Sequence, residues 1–87
     1  MYTIEWTIIP IETNSLQTPH LNTAYLTWVI LVRHFLEHHK SKEHGIHITV
    51  YKDGKGIDFN KNREGEEGNP NTFIYWDSDF EKFIHGY

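Results

Sequence analysis

The sequence predicts an α+β domain of order β-α-β-β-β-α: a four-stranded, mostly antiparallel sheet, one long helix packed across a face and a short C-terminal helix. Three stretches carry that expectation. Residues 2–11 alternate apolar and polar side chains, residues 18–44 repeat apolar ones at helical spacing, and Asp53-Gly54 joins two alternating runs. With 87 residues the chain has room for a single domain over its whole length. So short a domain buries only roughly two-thirds of its unfolded surface. Its 15% of aromatic residues, each burying a large area, build the core instead of disulfides, since there is no cysteine.

In YTIEWTIIPI (2–11), Tyr2, Ile4, Trp6 and Ile8 share one face and Thr3, Glu5 and Thr7 the other, as in a half-buried strand. Pro10 has no amide donor, so the strand should end there or lie at a sheet edge. ETNSLQ (12–17) reads as a turn. Thr18-Pro19 opens a helix, with Thr as N-cap and Pro at the first helical position. The helix is expected to run to about His44, with Gly45 left-handed after it and Lys40, Lys42 and His44 placed to suit the helix dipole.

Leu21, Tyr25, Trp28, Leu31, Val32 and Phe35 make the core stripe of that helix. Leu26 and Ile30 fall on the opposite side, in line with Arg33 and Glu37. Either the 12–18 segment covers them, or they form an exposed apolar patch for self-association or partner binding.

Asp53-Gly54 calls for a two-residue type I′ hairpin turn. Pairing outward sets Lys52 opposite Lys55, Val50 opposite Ile57 and Ile48 opposite Phe59, with His47, Thr49, Tyr51, Asp58 and Asn60 on the other face. His47 is thereby placed to bond Asn60. NREGEEGNPN (62–71) lacks apolar residues and reads as a long mobile loop. TFIYWD (72–77) is a strand with Ile74 and Trp76 on one face, Phe73 and Tyr75 on the other. Ser78 and Glu81 have capping-box spacing for a short helix burying Phe80, Phe83 and Ile84.

From residue 18 onward the predicted α-β-β-β-α order resembles that of double-stranded RNA-binding domains. Those modules carry a lysine cluster at the start of their last helix, to grip phosphates. Here that place reads DSDFEKF, which repels them, so the resemblance implies topology alone.

The sharpest chemical motif is HFLEH (34–38). It resembles the H-x-x-E-H pattern of inverted zinc proteases, in which two histidines one helical turn apart chelate a metal and the glutamate polarises a water. His34 and His38 are the candidate ligands, with Glu64, Glu66, Glu67 or Asp77 as a possible third. A solvated helix end accounts for the same residues, and no cofactor or metal is expected. His39 reads as a partly buried residue capping the core stripe. Ser15, Ser41 and Ser78 each read as turn or cap, and no phosphate-binding glycine loop is present.

Net charge is −4 with histidines neutral, and the acids concentrate between Asp58 and Glu81. An acidic chain without a basic stripe is a poor nucleic-acid binder. The apolar run AYLTWVILV (24–32) is too short to cross a membrane. Arg33 is the first basic residue, so no targeting peptide is expected and the location is taken as cytoplasmic, in a bacterium or a phage-infected host cell.

These observations point to a non-enzymatic interaction module. Its most concrete form is an inhibitor, of the immunity or phage anti-defence type, of a nucleic-acid-processing protein with a basic surface. The expected contact residues are Glu64, Glu66, Glu67, Asp77, Asp79, Tyr51, Tyr75, Leu26 and Ile30. A homodimer is compatible with the Leu26/Ile30 patch. The alternative is a histidine-based metal-binding protein or small metal-dependent enzyme.

Overall fold

The computed structural model describes residues 1–9, 12–38, 45–61 and 63–86. The alternation of the first segment is realised as strand β1 (Tyr2–Ile9), with Tyr2 and Ile4 buried and Trp6 and Ile8 packed against the core. β1 lies inside the sheet, between β2 (Glu12–Thr18) and β3 (Gly45–Lys52), antiparallel to both. The sheet order is β2-β1-β3-β5-β6, with β5 at Asn71–Asp77 and β6 at Lys82–Gly86; the two-residue β4 (Lys55–Gly56) pairs with β3 off this path. The architecture is α+β: an antiparallel sheet and, among the described residues, one helix, α1 (Leu21–His38).

α1 lies across one face of the sheet, over β1 and β2. Ala24 and Phe35 are fully buried beneath it, and Leu21, Tyr25, Trp28, Leu31 and Val32 pack around them, as the helical spacing predicts. Against these sit Ile4, Ile46, Ile48, Val50, Ile57 and Ile74, each contributing about 2 kcal/mol of burial. The Thr18 hydroxyl accepts the His20 amide at 3.2 Å, three residues before the first helical residue, Leu21, so Thr18 ends β2 rather than capping the helix and Pro19 is not its first position. The expected helix end, with His39, Lys40, Ser41, Lys42 and His44, lies outside the described residues. Gly45 itself is the first residue of β3.

Several expectations are corrected. Residues 12–17 are strand, not turn: β2 pairs with β1 from Tyr2↔Thr18 to Ile8↔Glu12. As an edge strand it buries little beyond Leu16 and Thr18, so its sequence carries no apolar alternation. The expected C-terminal helix is instead β6, joined to β5 by a turn over 78–81 with Glu81 at φ 51°. Phe83 earns its burial as a strand residue, edge-on to Trp76 at 4.9 Å and 5.8 Å from Phe35, while β6 pairs an edge of β5 that a helix would leave bare. That change also ends the topological likeness to double-stranded RNA-binding domains.

The turn at Asp53-Gly54 has positive φ at both positions, 50° and 83°, as a type I′ turn requires, and Lys52 faces Lys55 as predicted. The hairpin does not continue to Phe59. Val50 donates its amide to Pro70 O at 3.2 Å while its carbonyl accepts from Ile57 at 2.9 Å. From there β5 takes over the edge of β3, and Ile48 faces Thr72. Residues 57–59 and 66–68 are therefore tied down rather than loose. Ile57 bridges to Glu67, the Asp58 amide bonds Glu66 O, and Ile57 and Phe59 are buried.

Candidate functional site: the uncovered sheet face

Register fixes which side chains share the face turned away from α1. Across neighbouring strands one row runs Thr13, Thr7, His47, Phe73; a second Ser15, Glu5, Thr49, Asn71; a third Gln17, Thr3, Tyr51. Tyr75 and Ile84 form a further pair at the β6 side. The expectation that Tyr51, Phe73, Tyr75, His47 and Thr49 share the face opposite the core matches this register.

The aromatic end of the face is held in place by neighbours. Phe73 lies 5.5 Å from Tyr75 and meets the His47 ring edge-on at 6.3 Å. A β-carbon at Gly86 would come within 2.9 Å of the Phe73 ring, so the bare glycine makes room for it. His47 Nε2 is 2.9 Å from Asn71 Oδ1, and Asn71 Nδ2 donates to Asn69 Oδ1 at 3.0 Å. Asn60, the expected partner of His47, turns inward and donates to Thr72 Oγ1 at 2.8 Å.

The predicted acidic residues do not form one patch. Glu66 and Glu67 lie near β4, 3.5 Å from Lys61 and from Lys55 respectively, whereas Glu64 lines a groove beside the start of α1. Asp77 and Asp79 lie past the far end of β5, where the Asp77 carboxylate accepts the Asp79 amide at 3.0 Å. The length of β5, about 20 Å, separates the two groups.

Leu26 and Ile30 are 55% and 64% exposed, so β2 does not cover them. They also part company across the helix crest. Leu26 opens into a groove with Leu21, Asn22, Tyr25, Arg63 and Glu64, whereas Ile30 does not reach it. The His34 and His38 rings lie 4.6 Å apart and tilted by 45° on the exposed side of the helix, with Glu37 3.9 Å from His38 Nε2. Among the described residues, no three His, Cys, Asp or Glu gather into a group able to hold a metal ion.

Sequence reasoning missed Ile84 as a member of the uncovered face. The alternation of KFIHG, with Phe83 inward and Ile84 outward, was the available signal. No described helix is long and apolar enough to cross a membrane. No protein-family model, curated protein or solved structure matches the chain, so its function has to be read from this geometry.

Proposed function

We propose that this protein is a non-enzymatic interaction module that captures a basic protein on the uncovered face of its sheet. Its most concrete form is an inhibitor, of the immunity or phage anti-defence kind, of a nucleic-acid-processing protein. The observation that carries this reading is the partly exposed group Tyr51, Phe73, Tyr75 and Ile84 on a face that α1 leaves open. Such aromatic side chains bring large contact area at low entropic cost. Carboxylates beyond the two ends of β5, Glu66 and Glu67 near one and Asp77 and Asp79 at the other, steer a basic partner toward it, with Glu64 adding charge from the α1 side.

The test is capture from the source lysate by the immobilised protein at low and moderate salt, with mass spectrometry of the eluate. One stoichiometric partner is expected, weakened by salt and lost in Tyr75→Ala and Tyr51→Ala. Capture indifferent to those substitutions and to salt removes the uncovered face from consideration.

The rival reading, a histidine-based metal-binding protein or small metal-dependent enzyme, draws on the adjacent His34–His38 pair. It requires that His34→Ala with His38→Ala abolish function and zinc uptake together. The uncovered-face reading requires that both changes leave partner capture intact.

A further inference from the structure

We infer that a small polar pocket at the start of β5 seats a guanidinium group, supplied by an anchoring arginine of the basic partner, an inference that rests on the capture reading above. Three chain segments converge there: residues 58–60, the stretch 69–73 that opens β5, and the end of β6, His85 and Gly86. Pairing of Gly86 with Phe73 brings β6 to the site, and the Asn60 side-chain amide reaches it by bonding Thr72 at 2.8 Å. The space is about 100 Å³. A drug-sized ligand needs about 300 Å³ or more, and one water takes about 30 Å³ of the liquid. The pocket therefore suits the head group of one side chain.

Hydrogen bonds already made decide what that head group must be. Asp58 Oδ1 accepts the Asn60 and Lys61 amides at 3.0 and 3.2 Å, and Oδ2 has no partner among the described residues. Asn60 donates through Nδ2, and its Oδ1 is likewise unengaged. The other side-chain oxygens are taken. Asn69 Oδ1 accepts both Asn71 N and Nδ2 at 3.0 Å, Asn71 Oδ1 lies 2.9 Å from His47 Nε2, and Thr72 Oγ1 accepts from Trp28 and Asn60. One carboxylate oxygen and one amide oxygen, two residues apart, thus remain to accept. No described Lys or Arg lines the pocket or lies within ion-pair distance of Asp58, and Lys61 pairs with Glu66 at 3.5 Å instead. The missing partner is a cation with several donors.

Guanidinium meets this requirement better than ammonium does. Its planar fork of N–H groups serves two acceptors at once, and it is more weakly hydrated, so it loses less on entering a half-enclosed site. Phe73 and Gly86 give the pocket an apolar wall along which a planar group can lie. Asp58 is itself partly buried, which strengthens its attraction for a cation relative to that of a fully solvated carboxylate. Phe73 also belongs to the uncovered face, so an arginine seated here enters beside the aromatic strip that a partner would cover.

The experiment titrates the purified chain with N-acetyl-arginine methylamide and follows the Asn60 and Asn69 side-chain amides in proton–nitrogen correlation spectra. The lysine and citrulline counterparts are run alongside. Saturable binding of about millimolar strength is expected for the arginine compound, as suits so few contacting atoms, with weaker binding of lysine and none of citrulline. Asp58→Asn keeps a side-chain oxygen for the Asn60 and Lys61 amides and should weaken binding about tenfold. His85→Arg, at an exposed position of the rim, sets a like charge against the ligand and should weaken it without touching the core. Spectra unchanged away from the pocket verify the fold of both variants. Absence of saturable binding overturns the proposal, as does equal binding of lysine or citrulline, or indifference to both variants. Tyr51 and Tyr75 do not line this pocket, and the titration contains no partner, so failure here is separable from failure of partner capture.

Discussion

Thr72 is the residue whose chemistry is most exposed to a test. Its hydroxyl, 6% exposed, accepts from Trp28 Nε1 at 3.1 Å and from Asn60 Nδ2 at 2.8 Å, tying α1 and the 57–70 segment to β5. Thr72→Val keeps the shape and strands both donors, so it should cost about 2 kcal/mol of stability by urea denaturation. A loss of a few tenths would mean that water replaces the hydroxyl. Asp53 offers a second test. Its carboxyl is held below the ordinary value of 3.8 by the bond from the Met1 ammonium at 3.0 Å and by that group's charge, with Lys52 and Lys55 adding to it. A depressed folded value stabilises the fold above the unfolded value, and the contribution disappears as pH falls through the folded one. Asp53→Asn keeps a residue that tolerates φ 50° and should flatten the acid limb of the denaturation midpoint against pH. An unchanged acid limb would place that pH dependence elsewhere.

At the scale of elements, β2 separates two proline positions that look alike in sequence. Asn14 turns its amide toward β1, whereas Ser15 turns its amide outward. Asn14→Pro should cost about 1–3 kcal/mol through the lost ladder bond and the carbonyl of β1 it leaves unpaired, while Ser15→Pro should lower the denaturation midpoint only slightly. Equal losses would mean that the ladder phase is reversed. β2 also marks where the sequence stops being legible. The β1 alternation, the core stripe of α1 and the Asp53-Gly54 turn could be read because burial or left-handed φ selects their residues one by one. ETNSLQ could not, because an edge strand over the rim of a helix is selected mainly by backbone pairing, which any side chain permits. β6 failed for a different reason. Ser78 and Glu81 mimic a capping box, yet Asp77 and Asp79 close a turn, and the vacant edge of β5 decides the pairing from a distance no local pattern reaches. The uncovered face was legible wherever its strands were, so Tyr51, Phe73 and Tyr75 were found and Ile84 was not.

For the molecule as a whole, the division of the acids into two ends sets how charge should act on partner capture. Glu66 and Glu67 precede one end of β5 and Asp77 and Asp79 follow from the other, and the strand is about 20 Å long, more than twice the Debye length of about 8 Å at physiological salt. On the proposed reading each end would meet its own part of a basic partner, and the two contributions should add without coupling. Reversing Glu64, Glu66 and Glu67 to Lys should slow association by about tenfold at low salt, as should reversing Asp77 and Asp79. The combined variant should show the product of the two effects within about twofold, since independent sites add within about 0.5 kcal/mol. Dissociation should change little, because the hold on the partner comes from the aromatic strip between the ends. Stopped-flow or surface-plasmon association rates across a salt series measure all three variants. A strongly non-multiplicative combination would mean that one basic feature of the partner spans both ends. A loss confined to one group would reduce the docking surface to that end of the face.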